Sequence, residues 1–324
     1  MLRRRSALGL VLAMLAGGAI ASRPVRADVS DFEKERALET VNKIRASVGL
    51  TPVELSESLC QGAEAHALYL SLNQDDPSTA NLGAHQETPG RPGFSEAGRQ
   101  AGTHGDIAFG VRPVESIAIW IDSYFHRLPF LDPEADAVGI GVNTVKDDVP
   151  VSILSFHMRP RGAGRGPVLL YPFEGMRNVP LSMPLTEIPS PIPEGGDDGR
   201  SQDPAMELDE DPMVGHLGRS REVGYPITLQ MRPGHRLTEA TGSLTVVDGA
   251  PVPVYFDSPE TPPSQIAARY IGSTLALIPH DPLQMGTRYR AWFRCRVDGG
   301  APETWTATFR TEGEDLPSAG EPDR

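Results

Sequence analysis

Cysteine is almost absent: the 324-residue chain has two, Cys60 and Cys295. Two thiols cannot build a four-ligand zinc centre or a paired redox motif. An exported chain can join such a pair, but these two fall in separate predicted domains, so buried free thiols are the expectation. Positive charge is also short, with 30 Lys and Arg against 43 Asp and Glu and a net charge of −13. That balance argues against a nucleic-acid partner, which needs a basic footprint. It is compatible with calcium or a basic surface without selecting either. Familiar catalytic motifs are missing too: there is no Gly-x-Ser-x-Gly elbow, no His-Glu-x-x-His helix and no phosphate-binding glycine loop.

The N-terminus carries an export pattern. Met1-Leu2-Arg3-Arg4-Arg5 is basic, residues 7–20 are apolar and small, and Val25-Arg26-Ala27 offers a cleavage site. The apolar run is too short for a stable span. We therefore expect residues 1–27 to be a signal peptide, and no stable transmembrane segment after processing. Removing them takes five arginines and no acid, so the mature charge becomes −18. The expected location is secreted, periplasmic or cell-surface.

Periodicity then predicts helices. Ser30 with Glu33 forms a capping box, and Ala37, Val41, Ile44 and Val48 make an apolar stripe ended by Gly49. Ser56 caps a second helix whose buried side holds Leu59, Ala63, Ala67 and Leu70. His66 flanks that stripe with no acidic or cysteine partner nearby, and is expected to be packed or at the surface. Residues 76–112 are polar and glycine-rich, a long connection of the kind that is usually functional. Within it, 95–101 predicts one short helix capped by Gly102. Pro113 opens an aromatic-rich helix with Val114, Ile117, Ile121 and Tyr124 on one face, and His126 stands where that face ends. Strands at about 137–144 and 149–158 form a hairpin turning at Lys146-Asp147-Asp148.

The second half changes character. Strands are predicted at 168–171, 225–231, 242–247, 252–256, 275–278, 289–297 and 305–309, with turn signals at Asp248-Gly249 and Asp298-Gly299-Gly300. This spacing suggests a β-sandwich. An acidic, proline-rich insertion at about 190–218, including Glu207-Leu-Asp-Glu-Asp-Pro212, has too little apolar content to order itself. Its spacing matches no calcium-binding helix–loop–helix motif.

The first half resembles the CAP superfamily, the SCP/PR-1-like domains, in its bacterial secreted form. The resemblance rests on Asn42-Lys-Ile-Arg45, Gly49-Leu-Thr-Pro-Val53, Ala63-Glu-Ala-His-Ala67, His85, Ser123-Tyr-Phe-His126-Arg127, Leu131-Asp132-Pro133 and Val138-Gly-Ile-Gly141. It covers about residues 33–158. It implies an α+β fold, an α-β-α sandwich around a small antiparallel sheet, with a surface cleft holding two histidines. The second half more loosely resembles the immunoglobulin-like modules of bacterial surface proteins, through Leu283-Gln-Met-Gly-Thr287-Arg-Tyr289 and Trp305-Thr-Ala-Thr-Phe309. The expected organisation is a CAP domain at 28–160, a linker at 161–167, an immunoglobulin-like β-sandwich at 168–312 interrupted by the acidic insertion, and a loose tail at 313–324.

The resemblance carries His85 and His126 onto the cleft histidines. Two imidazoles facing one groove can bind zinc or another divalent cation, or one can serve as a general base. Glu87, two residues beyond His85, would orient it or add a third contact, and His104 is a further candidate ligand. One departure stands out: family members commonly have Glu-Asn-Ile-Ala before the third helix, whereas this chain has Gly105-Asp106-Ile107-Ala108. Asp106 or His104 would have to compensate from a neighbouring position. The leading expectation is an exported protein binding a small, lipid-like or envelope ligand. The alternatives are a metal-assisted hydrolase of peptide or cell-wall material, with His85, His126 and Glu87 as catalytic candidates, and a structural accessory protein. Whether the chain is an enzyme stays open.

Overall fold

The computed structural model describes residues 30–144, 149–160, 164–193 and 222–313. The expected signal peptide, the turn expected at 146–148, part of the expected linker, nearly all of the acidic insertion and most of the expected tail lie outside them.

The first half follows from its caps and periodicities. Helix α1 spans Asp31–Ser47, and Ser30 and Glu33 exchange the two reciprocal bonds of a capping box at 3.3 Å each. Strand β1 is Glu54–Leu55 and helix α2 is Glu57–Asn73, opened by Ser56. Helix α3 is Glu96–His104, strand β2 Gly105–Phe109, helix α4 Pro113–Asp122 and the short helix α5 Arg127–Phe130. Strands β3, Ala135–Asn143, and β4, Val151–Met158, form the expected hairpin. The sheet order is β1-β3-β4-β2.

Alternation along β3 and β4 sorts the helices into two layers, because successive strand side chains point to opposite faces. Val138, Ile140, Leu154 and Phe156 share a core with Ala37, Val41, Ile117 and Trp120 of α1 and α4. Val151 and Ile153 pack with Ala63, Ala67 and Leu70 of α2. Each Val, Leu or Ile side chain among them, fully buried, contributes on the order of 1.5–3 kcal/mol. Gly139 lets α2 lie directly on β3, since a Cβ there would overlap Leu59.

Three sequence expectations change here. Helix α3 continues through Gly102 instead of stopping at it. Helix α4 ends at Asp122, so Tyr124 leaves the helical face and packs with Met183, Val223 and Ile271 from the second half. The sheet is not wholly antiparallel, because β1 runs parallel to β3.

The second half is all β apart from one 3-10 turn, Ala267–Arg269, among the described residues. Strands β5 to β14 are Val168–Tyr171, Ser182–Pro184, Glu222–Gly224, Ile227–Met231, Leu237–Val246, Pro251–Val252, Val254–Asp257, Thr274–Pro279, Arg288–Val297 and Pro302–Arg310. They form two four-stranded sheets, β11-β12-β8-β5 and β10-β9-β13-β14, and a β6-β7 ribbon. No closed immunoglobulin-like sandwich is detected among them. The single strand expected at 252–256 is divided at Pro253, which has no N–H to give a ladder. As a result β10 pairs with β9 and β11 pairs with β12, in different sheets.

The two halves share one hydrophobic cluster, and Arg127 fastens them. Its side chain is fully buried. Nε donates to Ile121 O at 2.7 Å and Nη1 to Pro226 O at 2.7 Å. The guanidinium lies 4.8 Å from the ring centres of both Tyr171 and Tyr225. Tyr225 in turn donates to Asp122 at 2.9 Å.

Candidate functional site

Where α4 ends, Ser123 N–H closes the last helical turn onto Ile119 and Trp120. Tyr124, Phe125 and His126 follow outside the helix, so their backbone N–H groups have no helical carbonyl to meet and need acceptors from elsewhere. Glu187, from the segment after β6, supplies them. Its carboxylate accepts from Tyr124 N, Phe125 N and His126 N at 2.9, 2.6 and 3.0 Å, and from His126 Nδ1 at 2.8 Å. Glu187 is buried while the His126 side chain keeps 24% exposure. With four donors converging on it, the carboxylate is ionised. Burial works against that charge, but the His126 bond and charge outweigh it and hold Glu187 below the usual carboxylate range. Burial likewise opposes an imidazolium at His126. The Glu187 bond and charge, with a contribution from Asp106, overcome it and raise the His126 pKa to about 9. His126 is thus a cation at neutral pH with Nδ1–H committed to Glu187.

His85 ends the 3-10 turn Asn81–His85. Its Nδ1 lies 2.9 Å from Gly102 O, and a carbonyl only accepts, so Nδ1 carries the proton and Nε2 is left as an acceptor. Burial, and then the charge on His126, lower the His85 pKa. The two histidines are therefore in opposite states, one a neutral acceptor and the other a cationic donor.

The shifted acid of the sequence also finds its place. Strand alternation turns Asp106 to the face opposite Gly105, toward His126. Asp106 is buried and its Oδ2 has no hydrogen-bond partner. Burial pushes its pKa up to about 7, with His126 opposing the rise and Glu187 adding to it.

His85, His104, Asp106 and His126 line one cavity of about 1000 Å³. His104 is exposed at the end of α3. The cavity is not confined to the first half: Ile188, Gln230, Met231, Arg269 and Tyr270 line it as well. Among the described residues, no group of three or more His, Cys, Asp or Glu is gathered closely enough to hold a metal ion.

Glu87 does not orient His85. It is buried, accepts from Ser95 N at 2.8 Å, and stands 2.9 Å from Nδ1 of the fully buried His66, whose Nε2 donates to Ala84 O at 2.8 Å. His66 therefore has the acidic partner that its sequence neighbourhood did not show. Gly102 makes room for it, because a Cβ there would overlap the imidazole. This pair pins the loop and α3 onto α2. Cys60 and Cys295 are both buried free thiols, as expected.

Sequence reasoning missed Glu187 altogether. It lies 61 positions beyond His126, in a segment with no motif to mark it.

Residues 38–153 match the model of the CAP family, described as the cysteine-rich secretory protein family. Among solved structures, the chain is similar to an outer surface protein from Borrelia burgdorferi, at 14% identity and TM-score 0.33, covering 42% of this chain and 98% of that one. It is also similar to an extracellular SCP-domain protein from Bacillus anthracis str. Ames, at 16% identity and TM-score 0.25, covering 39% and 40%. A third likeness is to PcoC, a methionine-rich copper resistance protein from Escherichia coli, at 19% identity and TM-score 0.22, covering 28% and 83%. No curated protein matches the chain. No helix among the described residues is long and apolar enough to cross a membrane. With its two helical layers, its four-stranded sheet and its histidine cleft, the segment 38–153 is a CAP domain.

Proposed function

We propose that the chain is an exported ligand-binding protein whose CAP cleft is completed by its own β-rich half. In this reading the CAP domain occupies 28–160, and an immunoglobulin-like module at 168–312 contributes one wall of the site. The observation that carries it is the Glu187 carboxylate, which crosses from the second half and sets the charge state of His126. The ligand is a small molecule with an anionic or strongly accepting group for His126 and a donor for Nε2 of His85. Phe125, Ile188 and Met231 offer apolar wall for its body.

The test is an NMR titration of imidazole-labelled mature protein with small carboxylates and phosphate esters. Binding in the cleft shifts the His85 and His126 resonances together, and Glu187→Gln weakens it. If every probe leaves both histidines unmoved at millimolar concentration, the cleft is not a binding site. Turnover of any probe that disappears in a His126 variant would instead favour a hydrolase.

A further inference from the structure

The outer face of the β10-β9-β13-β14 sheet presents chemistry unrelated to the cleft. Strand β13 alternates strictly: Tyr289, Ala291, Phe293, Cys295 and Val297 are buried, while Arg288, Arg290, Trp292, Arg294 and Arg296 face outward. The pattern places four guanidinium groups and one indole along one line, about 7 Å apart and spanning about 27 Å. Register flanks this line with hydroxyls on both sides. Arg294, Trp292 and Arg290 lie opposite Thr241, Ser243 and Thr245 on β9, and opposite Thr304, Thr306 and Thr308 on β14.

Arg288, Arg290 and Arg294 are exposed and make no ion pair among the described residues. Arg296 is paired with Glu239 at 2.8 Å at one end of the row, and Arg310 sits opposite Arg288 at the other. Their concentration on one strand makes this face a local basic patch on a chain with net charge −13.

We infer that this face binds an anionic polysaccharide. Guanidinium groups take carboxylate, phosphate or sulfate oxygens in a forked geometry. The flanking Thr and Ser hydroxyls can exchange hydrogen bonds with sugar hydroxyls, and the indole offers a flat apolar platform for the C–H face of one sugar ring. A single-stranded nucleic acid fits less well. Such sites stack successive bases on several aromatics, whereas this row has one, and the remainder of the acidic chain repels a dense polyanion. A membrane fits less well too, because Trp292 is the one large apolar side chain in the outward row of β13, and no amphipathic helix accompanies it among the described residues.

The experiment measures binding of the full mature chain to immobilised polygalacturonate and dextran sulfate. Neutral dextran, a thirty-nucleotide poly(dT) and phosphatidylglycerol vesicles serve as comparisons. The variants are Arg290→Ser with Arg294→Ser, and Trp292→Thr, each checked for an unfolding midpoint no lower than that of the wild type. We expect at least one anionic glycan to bind, neutral dextran not to bind, and the double arginine variant to lose at least about tenfold in affinity with a shallower salt dependence. Trp292→Thr loses several-fold while keeping the wild-type salt dependence. Absence of binding to both anionic glycans overturns the inference, as does binding that neither variant changes. Tighter binding to poly(dT) or to the vesicles than to either glycan overturns the polysaccharide assignment.

Discussion

Glu187 and His126 form an ion pair at 2.8 Å that joins the β-rich half to the CAP cleft. The folded pKa of His126, about 9, lies above the ordinary 6.5. Its contribution is therefore full below pH 6.5 and is lost as pH rises through 9. Glu187 is shifted the other way, so its contribution is present above the ordinary carboxylate range and is lost as pH falls below it. A shift of this size in His126 corresponds to about 3 kcal/mol.

The first prediction is that NMR titration finds His126 still protonated at about pH 8, and that in Glu187→Gln its pKa falls by about two units or more. Thermal stability of the wild type should decline between about pH 7 and 10, more steeply than that of the variant. A wild-type His126 titrating near its ordinary value would contradict the pairing.

Arg127 carries a second prediction. Its buried guanidinium lies between Tyr171 and Tyr225 and donates to carbonyls in both halves. Arg127→Ala should cost about 3–5 kcal/mol in denaturant unfolding, from lost hydrogen bonds and from the void it leaves. Arg127→Lys should recover little, because an ammonium cannot span both carbonyls while lying flat against two rings. Near-complete rescue by lysine would show that charge alone matters there.

A third prediction concerns the helix pair beneath the loop. Gly102→Ala places a methyl where the His66 ring stands. The expected cost is about 1–3 kcal/mol, as for other overpacked sites. The penalty should shrink when His66 is first replaced by Ala, so a double-mutant cycle should give a coupling of at least about 1 kcal/mol. Additive effects would mean that α3 moves away without strain.

Zinc provides the fourth. Any zinc held between His85 and His126 has to displace the proton on His126, so its affinity should be weak at about pH 7 and rise toward about pH 9. Calorimetry of the wild type and of the His85→Ala, His126→Ala double variant checks this. Tight binding at about pH 6, lost in the double variant, would overturn it.

Local features of the CAP domain were legible in the chain because they depend on near neighbours. Ser30 and Glu33 sit three apart and cap α1, the stripes of α1 and α2 follow the helical period, and β3 with β4 follow the strand period. His85 and His126 were placed in one cleft by family resemblance, and both line the cavity. The departure at Gly105 was visible as well, together with the question of whether Asp106 could replace the missing acid.

What only the tertiary structure decided are pairings between residues far apart in the chain. Glu87 reads as a partner for His85 by adjacency, yet it is spent on His66 and Ser95, because packing α3 onto α2 brings those donors to it. Glu187 has no local signature. Its role exists because the segment after β6 folds back onto three unpaired N–H groups at the end of α4. The protonation states follow from the same cause. Sequence supplies two equivalent imidazoles, and burial with one distant carboxylate makes the first a neutral acceptor and the second a cation. Periodicity and capping are short-range and can be read along the chain, whereas desolvation and ion pairing depend on what the fold brings within about 3 Å.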